Sequence, residues 1–110
     1  MMKLLFAFVQ NDDVKPLTRA LIKGDINVTR ISSSGGFLSG GNSTLLIGVE
    51  SEQLQDTLDI IKKHSNRRTT AIAASVLPAA QGSDVTLPPI NITIGGATVF
   101  VIDAEQFYKF

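Results

Sequence analysis

Leu45-Leu46-Ile47-Gly48-Val49 is an unbroken apolar run, and the residues after it switch at once to a helical pattern. Ser51 stands where a cap belongs, and Leu54, Leu58 and Ile61 recur at the spacing of one helix face, with Ile60 beside them and Lys62-Lys63-His64 as a cationic end. The same order is written earlier in the chain. Leu4-Leu5-Phe6-Ala7-Phe8-Val9 is followed by Asp12 or Asp13 as a cap, by Pro16 in the first turn, and by Val14, Leu17 and Leu21 at helical spacing. The two copies lie about forty residues apart, a weak internal repeat. Each helix leads into another strand-like segment. After Lys23-Gly24, read as a cationic last turn with a C′ glycine, Ile26 to Ile31 alternates, and after the second helix Arg67 to Ala74 is rich in threonine and small residues.

Two such units in series give β-α-β-β-α-β, the ferredoxin-like arrangement, with an antiparallel sheet and both helices on one face. The fold class is therefore α+β in a single domain spanning residues 1–110. An additional C-terminal hairpin strand is expected, preceded by a long loop. Ile90-Asn91-Ile92-Thr93-Ile94 alternates cleanly, Gly95-Gly96 is a two-residue hairpin signal, and Ala97 to Ile102 reads as the returning partner strand. The tail carries Phe107, Tyr108 and Phe110, which should pack on the domain or across a subunit boundary, since left bare they would form an apolar patch. Covering one sheet face with helices leaves the other needing cover, which points to a closed ring of subunits.

Between the two units lies the glycine loop, residues 32–44, with four of the nine glycines and six hydroxyl side chains. Its backbone N–H groups suit an anion nest, and Phe37 and Asn42 suit a planar base, although turn glycines in a plain connection account for the same residues. Arg30, just before the loop, reads equally as a phosphate partner or a solvated strand charge.

Composition narrows the function. Ten basic and ten acidic residues balance to zero, with no Lys/Arg run, which argues against a nucleic-acid polymer or a membrane surface as partner. Cysteine is absent, so disulfides, thiolate metal sites and a Cys nucleophile are excluded, in keeping with a cytoplasmic protein. The apolar start meets Gln10-Asn11-Asp12-Asp13 too soon for a signal peptide, and no segment reaches transmembrane length. His64 is the one histidine and reads as a surface residue complementing a helix C-terminus; no metal site is expected. Asp12 and Asp13 read as caps, Ser32 to Ser34 have no base beside them, and both common nucleotide-binding glycine motifs are missing, so the protein reads as a non-enzyme without a cofactor.

Thr29-Arg30-Ile31, Gly35-Gly36-Phe37-Leu38, Gly41-Asn42-Ser43-Thr44 running into Leu45 to Val49, and Gly95-Gly96-Ala97-Thr98-Val99-Phe100-Val101 with the aromatic ending together resemble the PII-like cyclic-di-AMP receptors of Gram-positive bacteria. The likeness covers Met2 to Phe110. It implies a cytoplasmic homotrimer with cyclic-di-AMP bound between subunits, in which ligand binding changes loop conformation and so regulates a partner protein. It implies ligand contacts at Thr29, Gly36, Phe37, Leu38, Asn42 and Gly48, with Phe100 close by. Backbone N–H groups of Gly36 to Leu38 would meet phosphate, Asn42 would read adenine, and Gly48 would leave room for it. The region from about 67 to 86 would be the family's large mobile loop. Asn27 and Lys109 stand where the family commonly has an arginine and a glutamine, and Ser39 follows Leu38 where an arginine is usual. These departures open a second reading, a PII-like trimer that binds ATP, ADP or AMP instead, or only a protein partner.

Overall fold

The computed structural model describes residues 1–31, 41–72 and 89–110. In chain order these form β1 (Met2–Gln10), α1 (Asn11–Lys23), β2 (Asn27–Ile31), β3 (Asn42–Glu50), a 3-10 turn (Ser51–Gln53), α2 (Leu54–Ser65), β4 (Arg68–Ile72), β5 (Ile90–Ile94) and β6 (Ala97–Asp103). The main sheet has the order β2-β3-β1-β6, with every neighbouring pair antiparallel. β4 and β5 form a separate antiparallel ribbon.

Alternation along β1 and β3 sorts their side chains onto two faces. Register sets Leu5 opposite Ile47 and Ala7 opposite Leu45, and these residues are fully buried. Val14, Leu17 and Leu21 of α1, Ile61 of α2 and Ile26 complete the same cluster, with Leu54, Leu58 and Ile60 packed against it. Both helices therefore cover one face, as the repeat implies. Each fully buried leucine or isoleucine there is stabilised by about 1.5–3 kcal/mol relative to exposure.

Local expectations fare unevenly at the helix ends. α1 begins at Asn11, with Gln10 in the cap position and no side-chain cap bond, so neither Asp12 nor Asp13 caps it. Pro16 lies inside the helix, where it removes one i→i−4 bond without ending it. Asp13 is 3% exposed, and its carboxylate accepts from Arg68 Nη2 at 2.7 Å and Nη1 at 3.4 Å. A carboxylate taken out of water requires such a partner, and that demand overrides the capping preference. Gly24 has φ −84°, and the left-handed residue after α1 is Asp25 at φ 61°. Ser51 opens the 3-10 turn instead of capping α2, and its hydroxyl donates to the Met1 carbonyl at 2.7 Å; Glu50 and Gln53 supply a reciprocal capping box.

The larger correction concerns Gly95-Gly96. β5 and β6 do not pair with each other: β5 pairs with β4, and β6 pairs with β1. The two glycines form a corner at which the chain passes from one sheet to the other. β6 also takes the place beside β1 that the ferredoxin-like order reserves for the strand after α2. A glycine pair signals a sharp change of direction; it carries no information about which strands then pair. Here Phe100 opposite Phe6 and Ile102 opposite Leu4 extend the apolar face of β1, and that non-local match decides the pairing.

Candidate functional site

The sheet face turned away from the helices has a regular layout, because registers across all four strands are continuous. One row reads Thr29, Leu46, Phe6, Phe100 from β2 to β6, and the next reads Asn27, Gly48, Leu4, Ile102. A third row holds Ile31, Thr44, Phe8 and Thr98, and β3 begins with Asn42 opposite Gln10. Asn27, Thr29, Gly48 and Phe100 thus share one face, as even spacing along each strand requires. Its centre is apolar and half-buried; toward the β6 edge Phe100 is 53% and Ile102 48% exposed.

Gly48 leaves a notch in this face. Among the described residues a Cβ built there would meet only Met2 Sδ, at 3.9 Å, so their side chains leave the space beside Asn27 unfilled. At the other end Phe8 and Phe100 meet edge to face, ring centroids 5.8 Å apart. Asn42, Phe8 and Phe100 also line a cavity of about 650 Å³ that reaches Leu58 and Lys62 of α2 and the Gly95-Gly96 corner. No hydrogen bond among the described residues engages the side chains of Asn27, Thr29 or Asn42. An apolar floor with free amides at its margins can hold a planar base and read its edge.

The candidate residues that are described do not converge within one chain. Thr29 and Phe100 stand at opposite edges, three strand spacings or about 14 Å apart. Asn42 and Phe100 meet in the cavity; Asn27, Thr29 and Gly48 meet at the β2 side. Lys109 lies in the exposed tail beyond β6. Gly36, Phe37 and Leu38 lie outside the described residues. The tail aromatics are not packed on the domain, contrary to one of the two expectations for them: Phe107 and Tyr108 are more than half exposed and Phe110 fully so. Tyr108 and Phe110 stack on each other at 6.2 Å.

Arg30 resolves toward a structural role. It pairs with Leu45, on the helix side of the sheet, and its Nη2 donates to Ser43 Oγ at 2.8 Å and reaches Asn11 Oδ1 at 3.5 Å. Ser43 Oγ donates to the same Asn11 oxygen, and Asn11 N donates to Gly41 O at 2.7 Å. These bonds fix where the glycine loop rejoins the sheet. The sequence reading missed Asn11 and the pairing of Asp13, because their partners lie up to 55 residues away and leave no local signal.

Among the described residues no group of three His, Asp or Glu side chains could hold a metal ion, and no helix is long and apolar enough to cross a membrane. Arg68 is the one group there whose protonation is clearly displaced. Its hydrogen bond to Asp13 raises it above its ordinary value, against an opposing effect of desolvation, with the Asp13 and Asp12 charges adding to the rise. A raised cation keeps its contribution at every pH below its unfolded value and loses it only as pH climbs through the folded one. Arg68 therefore stays charged across the physiological range.

With the geometry established, comparison with known families gives a direct match: the cyclic-di-AMP receptor model covers residues 2–110. The chain belongs to the cyclic-di-AMP receptor family. It is also similar to a protein of Pediococcus pentosaceus ATCC 25745, whose crystal structure is described as that of a functionally unknown protein. The two share 37% identity over 99% of this chain and 97% of the other, with a TM-score of 0.80.

Proposed function

We propose that this chain is a cytoplasmic signalling protein that binds cyclic-di-AMP between neighbouring subunits of a homotrimer and regulates a partner protein through a change in loop conformation. The observation that carries the reading is the separation of the candidate residues to opposite edges of one helix-free face. A single chain offers two half-sites, one around Asn27, Thr29 and Gly48 and one around Phe100 and the tail. A ring that sets the first edge of one subunit against the second edge of the next completes a pocket at each boundary. In that pocket Asn42 reads an adenine through its in-plane donor and acceptor, Gly48 leaves space for the ring, and the backbone of Gly36 to Leu38 meets phosphate. The strand residues on this face include no Lys or Arg, so Lys109 of a neighbouring tail is assigned as the countercharge. In this reading the nucleotide leaves unchanged: among the described residues no nucleophile and base converge on this face.

The departures at Asn27, Ser39 and Lys109 support one alternative: a PII-like trimer that takes a mononucleotide or a protein partner alone. Thermal-shift measurements against cyclic-di-AMP, ATP, ADP and AMP separate the two. The proposal predicts a rise in Tm of several degrees with cyclic-di-AMP only. A shift confined to a mononucleotide supports the alternative, and no shift with any of the four removes the nucleotide from the reading.

A further inference from the structure

The start of α1 holds two remote parts of the chain at once. Gln10 Oε1 accepts from Gly95 N at 2.7 Å. Asn11 accepts from Ser43 and donates through its backbone to Gly41 at 2.7 Å. Asp13, 3% exposed, accepts both guanidinium nitrogens of Arg68. One set of bonds therefore holds the exit of the glycine loop. The other holds the root of the β4–β5 ribbon, which Gly96 N also fastens to the Ser65 carbonyl at the end of α2.

Among the described residues the ribbon has little else to hold it. There β4 and β5 pack substantially only against each other, so the bonds at the root carry their placement. Gly95 is part of that root: φ is +80°, and a Cβ there would come within 2.5 Å of Arg68 Nη1 and of Asn66 O. Asn11 and Asp13 are two residues apart on one helix, a rise of about 3 Å along the axis. A shift of that first turn cannot move one attachment without moving the other.

We propose that Gln10, Asn11 and Asp13 form a shared anchor that couples the exit of the glycine loop to the placement of the β4–β5 ribbon, so that disturbing either attachment loosens both. These are positioning residues, and the coupling is a property of the chain without nucleotide. It stands or falls independently of the ligand assigned above.

Amide hydrogen exchange on the nucleotide-free full chain tests this. Asn11→Ala removes an exposed side chain and leaves the Asp13–Arg68 pair in place. The anchor predicts faster exchange, by threefold or more, at residues 41–44 and also at 66–70 and 94–96, with 45–49 unchanged as a control for the core. Asp13→Asn is expected to give the mirror result, loosening the ribbon root and residues 41–44 together. Arg68→Lys, which keeps the charge but not the planar fork, provides a milder variant should Asp13→Asn fold poorly, and a smaller rise at both places is expected. If each substitution speeds exchange only at its own attachment, the coupling is overturned.

Discussion

Gly48 and Gly95 both interrupt β-rich sequence, yet their surroundings assign them opposite roles. At Gly48 the backbone is ordinary strand and, among the described residues, a Cβ would find only Met2 Sδ, at 3.9 Å. Among the described residues nothing requires glycine there, which supports its proposed place against the ligand. Gly48→Val should therefore leave Tm unchanged or slightly raised, since valine favours strands, while weakening cyclic-di-AMP binding at least tenfold by calorimetry. Unimpaired binding would remove Gly48 from the pocket. In the sequence alone Gly48 was visible only through family likeness. Thr29 and Asn27 were visible as residues of one strand face, but that they flank Gly48 and Leu46 depends on the β2–β3 register, which no local pattern encodes.

At the scale of elements, the apolar runs Leu4–Val9 and Leu45–Val49 and the helical stripes carried the bodies of β1, α1, β3 and α2, though not their ends, because their periodicity is a direct imprint of one buried face. What failed was the assignment of partners. Gly95-Gly96 looked like a hairpin because hairpins and sharp corners make the same demand for positive φ, met here at +80° and +98°. The competition between β5 and β1 for β6 is settled by Phe6, Leu4 and the residues opposite them, far away in sequence. Asp13 was misread for a similar reason: its type suits a cap, and its partner is Arg68. The corner supplies a prediction. Gly95→Ala is expected to destabilise the fold by roughly 1–3 kcal/mol in urea unfolding, from left-handed strain and the clash with Asn66 O. An unchanged midpoint would show that the corner relaxes freely.

For the molecule as a whole, the helix-covered face is a finished core and the other is not. Phe100 and Ile102 lie about half exposed at the β6 edge, and Phe107, Tyr108 and Phe110 extend bare beyond it. Composition gave no hint of which residues would be left uncovered; only the placement of β6 at the sheet edge shows it. The proposed burial of this edge against a neighbour would account for both the apolar tail and the split site. Light scattering on the purified protein should give the mass of a trimer, and Ile102→Asp should shift it toward monomer while far-ultraviolet circular dichroism is retained. A monomeric native protein would leave each half-site incomplete and contradict the shared pocket.

In the proposed assembly this face, completed by a second subunit, holds cyclic-di-AMP. Isothermal titration of the native protein with cyclic-di-AMP is the decisive measurement. Saturable heat with one nucleotide per chain is expected, with much weaker binding in Asn42→Ala and no change in His64→Ala, whose ring nitrogen Nδ1 lies 3.0 Å from the Ile60 carbonyl of its own helix. Absence of heat at high micromolar nucleotide, or equal losses in the two variants, would contradict it.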